Sequence, residues 1–326
     1  MVRDAVLTAL QTAQGNLSGE ELSRRLGVSR AAVWKAVNTL RQDGYDIQGQ
    51  SSRGYRLTGC PDLLNPEELR VPDRVVGCKV ICLNSIDSTN DECKRRAIAG
   101  APAGLAVTAD TQTGGRGRRG RSFQSLAGKG LYLSVLLRPQ VPLETVSQLT
   151  AWTAVAVCRA IEQVCDVRPD IKWPNDILVG GKKLCGILTE LGLEAETGAL
   201  SYVVVGMGTN VSQTRSDFGP GLADIATSLS ILGASVQRRV LAKALLGTLD
   251  DMNTAFPEDR AGYLAEYRRR CVTLGKEVRL VEPARERQAT ALDIEEDFSL
   301  RVRLSDGQEE RVSSGEVSVR GLLGYT

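Results

Sequence analysis

The sequence predicts an α+β chain in three parts: an N-terminal winged helix-turn-helix, a central mixed-sheet α/β domain and a C-terminal SH3-like β-barrel. Three observations carry this. The first 60 residues hold three short, capped helical patterns followed by two strands around a tight turn. From about residue 73 to 270, strand and helix patterns alternate, and several strands are joined by loops too short for a crossover helix. The last 55 or so residues hold five short strand candidates separated by turn signals. The expected boundaries are 1–60, a linker over 61–72, then 73–270 and 271–326; a chain of 326 residues commonly has two or three domains.

In the first part, Val6, Leu7, Leu10 and Ala13 give one helix an apolar face that ends at Gly15. Ser18-Gly19-Glu20-Glu21 is a capping box, with the N-cap serine three residues before a glutamate. Leu22 and Leu26 form the inner side of the second helix, and Gly27-Val28-Ser29 makes the turn. Ser29 caps a third helix that turns Val33, Ala36, Val37 and Leu40 inward and Arg30, Ala31, Trp34, Lys35, Asn38 and Arg41 outward. Tyr45–Gln50 and Tyr55–Leu57 flank the turn Ser51–Gly54. A third helix of this kind suits the major groove, with Arg53 and Arg56 of the wing on phosphates. Ser29, Arg30, Ala31, Lys35, Asn38, Arg53 and Arg56 are therefore the candidate DNA contacts. Trp34 suits packing against the wing as well as it suits a base. A small protein-interaction module is the alternative for the whole segment.

Residues 61–72 (PDLLNPEELRVP) hold three prolines and little periodicity, which reads as a linker. In the central part, Lys79–Leu83, Gly104–Thr108, Leu131–Leu137, Lys182–Leu191 and Tyr202–Gly206 read as strands. Ser88–Ala99, Leu143–Val164, Arg238–Thr254 and Arg260–Arg270 read as helices. The final strands are Glu277–Val281, Gln288–Ile294, Leu300–Leu304, Glu310–Val312 and Val317–Val319.

Composition narrows the chemistry. A hydrophobic fraction of 42% and a charged fraction of 25% are those of an ordinary globular protein. The net charge of +2 means that any affinity for nucleic acid must come from local clustering. No run of about 18 apolar residues is present, and Asp4 stands where a signal peptide would be basic and apolar, so a cytoplasmic location without membrane contact is expected. The eight cysteines form no C-x-x-C pair and read as reduced thiols rather than a zinc site. There is no histidine. That absence removes Ser-His-Asp and Cys-His nucleophiles and every histidine general base.

Four polar clusters in the central part fall at element junctions. Ser88-Thr89-Asn90 begins a helix, where hydroxyl, amide and backbone N–H groups can read a small polar head group or simply cap the helix. Gln112 precedes Gly114–Arg121, which has four arginines and four glycines in eight positions. Glycine lets such a loop lie close to a ligand, and arginine matches carboxylate or phosphate bidentately; a solvated basic loop is the alternative. Lys172-Trp173-Pro174-Asn175-Asp176 makes a stiffened turn whose Asp176 suits Mg²⁺ or the orientation of a basic neighbour. Lys182-Lys183, after Gly180-Gly181, begins a strand, so one lysine faces the site and the other faces solvent.

In order and spacing, Ser88-Thr89-Asn90, the run G-R-G-R-R-G-R ending at Arg121, K-W-P-N-D from Lys172 and K-L-x-G-I-L-x-E from Lys183 resemble the motifs of biotin–protein ligases. The winged helix and the small barrel resemble the bifunctional, repressor-type members, so the resemblance spans essentially the whole chain. It implies a catalytic domain like that of class II aminoacyl-tRNA synthetases and biotin–lipoate ligases. It also implies ATP and Mg²⁺, with biotin activated to biotinyl-5′-AMP and passed to a lysine of a biotin carboxyl carrier protein. By the same resemblance the adenylate acts as corepressor for a homodimer on operator DNA. Ser88, Thr89, Asn90, Gln112, Arg116, Gly117, Arg118, Lys183 and Gly186 would bind biotin, with Lys183 and Arg118 catalytic. Gly115, Arg118, Arg119, Arg121, Lys172, Asn175, Asp176, Asn210 and Arg320 would serve ATP and the adenylate, and Asp176 the metal. The arginine loop would be disordered when empty and ordered over the ligand.

Two departures stand out. Phe123 replaces the tryptophan commoner in the family, keeping an apolar wall without the indole. The segment Gln213–Leu222, where a nucleotide-covering loop belongs, has Phe218 as its one aromatic. Two rival readings exist. A lipoate–protein ligase would carry a histidine-bearing motif that this chain lacks, and a DNA-binding sensor without catalysis would not need Lys183 and the arginine loop together.

Overall fold

A computed structural model of the chain describes residues 2–13, 15–50, 54–59, 62–71, 73–281, 285–313 and 318–321, with the backbone alone for Gln50 and for 318–321. The chain separates into two compact units, Met1–Leu63 and Leu64–Thr326.

The first unit contains helices α1 (Val2–Thr12), α2 (Gly19–Leu26) and α3 (Arg30–Gln42), then strands β1 (Asp46–Gln50) and β2 (Gly54–Gly59). Its caps are those expected. Ser18 Oγ accepts from Glu21 N at 3.0 Å, and Ser29 Oγ accepts from Ala32 N at 3.2 Å. Gly27, at φ 64°, stops α2 in the left-handed conformation that glycine adopts freely. Val6, Leu10, Leu22, Val33, Val37 and Leu40 form one core under the hairpin with Tyr45 and Ile47. Leu17 bonds Tyr55 in both directions, N to O at 2.8 and 2.7 Å, tying the hairpin to the chain before α2. Arg30, Ala31, Lys35 and Arg56 are exposed, Asn38 is half-buried, and Arg53 lies outside the described residues. Trp34 is 60% exposed.

The second unit opens with α4 (Pro66–Leu69) inside the stretch read as a linker, and Leu69 is buried in the main core. There follow β3 (Lys79–Ile86), α5 (Thr89–Ile98), β4 (Leu105–Gln112), β5 (Gly130–Leu137), α6 (Leu143–Val146) and α7 (Leu149–Val164). Next come β6 (Asp170–Lys172), β7 (Asp176–Val179), β8 (Lys182–Leu193), β9 (Leu200–Asn210), α8 (Arg238–Ala255) and α9 (Arg260–Arg270). Seven strands form one sheet in the order β3-β4-β5-β9-β8-β7-β6. Only β3 and β4 pair in parallel, so the sheet is mixed, as the short loops predict. Strands β6 and β7 have three and four residues, too short for a periodicity to register. The helix expected over 143–164 is interrupted at Ser147–Gln148, where Gln148 N bonds Thr145 O in the tighter i, i+3 pattern.

Strands β10 (Glu277–Val281), β11 (Glu286–Ile294), β12 (Leu300–Leu304), β13 (Glu309–Val312) and β14 (Ser318–Gly321) form a five-stranded antiparallel sheet in the order β13-β12-β11-β10-β14. Val317, expected to begin the last strand, is outside the described residues. This sheet shares the main core: Val278, Leu280, Phe298 and Leu300 join Trp152, Trp173 and Tyr263. Trp152 stacks on Tyr263 at 4.0 Å, and Trp173 Nε1 donates to Phe298 O at 3.0 Å. Position 271 is therefore no break in packing. The seven described cysteines are free thiols, and Cys60 lies outside the described residues. Among the described residues no helix is long and apolar enough to cross a membrane.

Candidate active site

The site lies on the face of the seven-stranded sheet covered by α5, and strand alternation decides which residues reach it. On β5, Leu131, Leu133, Val135 and Leu137 enter the main core, leaving Tyr132, Ser134 and Leu136 on the α5 face. On β9, Val203, Val205 and Met207 enter it, leaving Val204, Gly206 and Gly208. Register then lays down two rows, Ser134–Gly206–Leu188 and Tyr132–Gly208–Gly186. Glycines in strands mark places where something approaches closely. A Cβ on Gly206 would stand 2.0 Å from Asn90 Oδ1, and one on Gly208 would stand 2.6 Å from the Phe123 ring. The room these glycines leave holds Asn90 and Phe123, and Phe123 also meets Tyr132 edge-to-face at 6.2 Å.

At the start of α5, Ser88, Thr89 and Asn90 are all buried. Thr89 donates from both N and Oγ1 to Gln112 Oε1, at 2.8 and 3.0 Å, and Gln112 Nε2 donates to Ser125 Oγ at 2.9 Å. The fully buried Ser134 Oγ donates to Asn90 Oδ1 at 2.6 Å and lies 2.7 Å from Thr89 Oγ1. Asn90 Nδ2 donates to Glu190 Oε2 and to Leu188 O, at 2.8 and 3.2 Å. Both amide hydrogens of Asn90 thus face protein, which makes it a positioning residue more than a ligand donor. Ser88 Oγ is the loosest group here, accepting from Asp91 N at 3.5 Å.

The arginine loop divides its charges. Arg116 forms a two-point pair with Asp91 at 2.7 and 2.6 Å, and Lys94 bridges Asp91 to Glu190. Burial would raise the Asp91 pKa, but the bonds from Arg116 and Lys94 outweigh it and hold the carboxyl below its usual range. Arg118 turns inward and donates to Asn175 Oδ1 at 3.1 Å, and desolvation lowers its pKa. Arg119 has φ 57°, rare for a residue with a side chain, and donates to Val281 O of β10 at 3.0 Å.

Opposite the loop, Lys183 Nζ is 2.6 Å from Asp176 Oδ1. The pairing of β7 with β8 runs Ile177–Cys185 then Leu178–Lys183, so Leu184 is the extra residue of a β-bulge. The bulge lets consecutive Leu184 and Cys185 both be buried while Lys183 reaches Asp176. Lys182 goes elsewhere, 3.4 Å from Ala223 O. Gly186 leaves room for Lys183: a Cβ there would lie 3.0 Å from both Cε and Nζ. Burial pushes the Cys185 thiol up to about 12, which rules it out as a thiolate nucleophile near neutral pH.

Ser88, Thr89, Asn90, Gln112, Arg116, Gly117, Arg118, Arg119, Arg121, Lys172, Asn175, Asp176, Lys183 and Gly186 line one cavity of about 380 Å³. Gly115 and Asn210 do not. Gly115 gives way to Phe123 O, 2.5 Å from where its Cβ would be, and Asn210 is bonded to Thr227 O and Gln213. Arg320 is described by backbone alone, paired in register with Arg279. Phe123 lines the cavity as the apolar wall expected of it, whereas Arg279, Ser122 and the Gly206-Met207-Gly208 strip also line it and escaped the sequence reading. The signal for the strip was there: two glycines two apart in an apolar strand. The cavity's charged lining is Arg116, Arg118, Arg119, Arg121, Lys172, Lys183 and Arg279 against Asp176, an environment for a strongly anionic ligand. No cluster of three metal-ligating side chains occurs among the described residues.

Comparison with known proteins points to one family. The family model described as Biotin/lipoate A/B protein ligase family matches residues 82–210, an HTH domain model matches 2–56, and a Biotin protein ligase C terminal domain model matches 273–320. The chain is 42% identical over 230 residues to a Bacillus subtilis protein named Bifunctional ligase/repressor BirA, covering 70% of each chain. It is 31% identical over 304 residues to the Escherichia coli protein of the same name, covering 93% of this chain and 92% of that one. A solved Aquifex aeolicus biotin protein ligase in complex with biotin and ATP is similar at TM-score 0.63 and 28% identity, over 74% of this chain and 98% of that one.

Proposed function

This chain belongs to the biotin protein ligase family, and from that premise we propose that it activates biotin with ATP, transfers it to a carrier-protein lysine, and represses transcription when the intermediate is bound. In the first step a biotin carboxylate oxygen attacks the α-phosphorus. The bond to the β-phosphate breaks, leaving biotinyl-5′-AMP and pyrophosphate. In the second step the carrier lysine's amine attacks the acyl carbon. The bond to AMP breaks, an amide forms and the lysine gives up a proton. Neither step needs a histidine, and positioning with charge stabilisation supplies the catalysis.

The observation that carries the reading is the place of Lys183. Its ammonium stands beside Gly186 and Asp176 in the cavity that Gly206 and Gly208 also line, among six other cationic side chains. A carboxylate and a nucleotide phosphate brought together there would both meet that ammonium. Ser88, Thr89 and Gln112 hold the ureido head, with Asn90 braced behind them by Ser134 and Glu190. Arg118 and Asn175 hold the adenylate, and Arg116, Gly117, Arg119 and Arg121 close over it. Lys172 and Arg279 face the phosphates. Mg²⁺ suits the site as a companion of the triphosphate: Asp176, the one carboxylate among the described lining residues, would supply a protein ligand, and phosphate oxygens and water would supply the rest. When bound, the ion neutralises phosphate charge.

The test is biotin-dependent ATP–pyrophosphate exchange by the purified protein, followed by modification of one lysine in a biotin carboxyl carrier domain. No exchange from folded protein with biotin and Mg²⁺ rejects the ligase reading. For repression the chain acts as an adenylate-bound homodimer on a two-half-site operator, since helix-turn-helix proteins commonly read palindromes as dimers. Anisotropy titrations of operator DNA with and without biotin plus ATP check this, and equal affinities in both would remove the linkage.

Gly206→Ala tests the bracing of the ureido site by Asn90. The added methyl needs the space of Asn90 Oδ1, 2.0 Å away, and overpacking of this kind costs about 1–3 kcal/mol. Biotin affinity and melting temperature should both fall, and wild-type biotin affinity would show that Asn90 does not brace the ureido site.

A further inference from the structure

We propose that Trp34 reads thymine methyl groups in the major groove and is the main apolar specificity contact of α3. This rests on the repressor reading above. Trp34 is 60% exposed, whereas the other two tryptophans, Trp152 and Trp173, are buried at 0% and 2%. Among the described residues it is the one aromatic ring so exposed, and it stands on a helix face flanked by cations.

The surroundings specify its partner. Val33, Ala36, Val37 and Leu40 are buried in the core of the first unit, which fixes the rotation of α3. Ala31, Trp34 and Asn38 then follow one another at spacings of three and four along the opposite side. Arg30 and Lys35 flank this stripe, and α3 contains no aspartate or glutamate. Arg41, next along the stripe, is held by Ile47 O at 2.9 and 2.7 Å, so the readable part of the helix ends before it. The capped N-terminal end at Ser29 leads this face, as in helices that enter the major groove. An apolar ring between cations, with no carboxylate on its helix, fits a polyanion that presents an apolar group among its base edges. In B-DNA that group is the thymine C5 methyl. Ala31 beside it leaves room for the ring to reach the groove floor.

To test this, wild-type protein with biotin, ATP and Mg²⁺ first enriches a binding sequence from random duplexes. On that duplex Trp34→Ala should bind roughly tenfold or more weakly, the cost of a lost base contact. The slope of affinity against salt should not change, because no phosphate contact is lost. Binding to unselected duplex should also be unchanged. Trp34→Phe, which keeps an aromatic surface, should retain most of the affinity, and matching thermal unfolding excludes a folding defect. Deoxyuridine in place of thymidine removes the methyl alone. At the contacted position it should weaken the wild type and add little to Trp34→Ala.

Equal affinity of Trp34→Ala and wild type on the selected duplex overturns the proposal. So does an equal loss on unselected duplex, or a uridine effect that is the same in both proteins at every position. Failure of the wild type to enrich any sequence removes the repressor reading and this proposal with it. A wild type that binds and a variant that binds as well removes Trp34 alone.

Discussion

Lys183→Ala should lose biotin-dependent pyrophosphate exchange by about 10²–10³-fold, the cost of removing one preorganised donor from a developing anion. Its biotin dissociation constant should move far less. The ammonium is 2.6 Å from Asp176, so the truncation also leaves that carboxylate facing the phosphates without its cation. Repulsion adds to the lost attraction, and both act on the step that brings two anions together. Lys182→Ala is the internal control, because its ammonium lies toward Ala223 O. Isothermal titration for biotin beside exchange kinetics separates the outcomes. Equal losses in both would mean that Lys183 only holds the substrate.

Arg118→Gly should leave adenylate synthesis measurable while the intermediate escapes. Arg118 bonds Asn175 across the cavity at 3.1 Å, and a hydrogen bond to a charged group contributes about 1.5–3 kcal/mol. Release of biotinyl-5′-AMP should speed up by about 10- to 100-fold. Glycine adds backbone freedom to a segment that already contains Gly117 and Gly120, so closure over the anhydride weakens further. Chromatography of free adenylate after synthesis reads this directly. A variant that retained the adenylate as long as wild type would refute the role.

Much of this molecule is legible in its sequence because its signals are local. Ser18 and Ser29 cap the helices they precede, and the polar clusters at Ser88, Gln112, Lys172 and Lys183 meet in one cavity. What escaped depends on pairing. Ser134 sits in an all-buried strand, GLYLSVLL, and only its register opposite Gly206 reveals that it faces Asn90. Arg279 looks like any exposed strand residue until β10 is placed beside the arginine loop. The extra residue at Leu184 shifts the alternation that a strand otherwise obeys. Asn210, read as a ligand residue from its place after a strand, ties Thr227 and Gln213 instead, because a buried amide must find partners wherever it lies.

The bond from Arg119 to Val281 ends on a main-chain oxygen. Every residue type at 281 would offer that oxygen, so mutation of the side chain there leaves the fastening intact. Displacement of the strand does not: a shift of an ångström takes a 3.0 Å bond out of range. The arginine loop is thereby made a gauge of where one strand of the C-terminal sheet lies, blind to its chemistry.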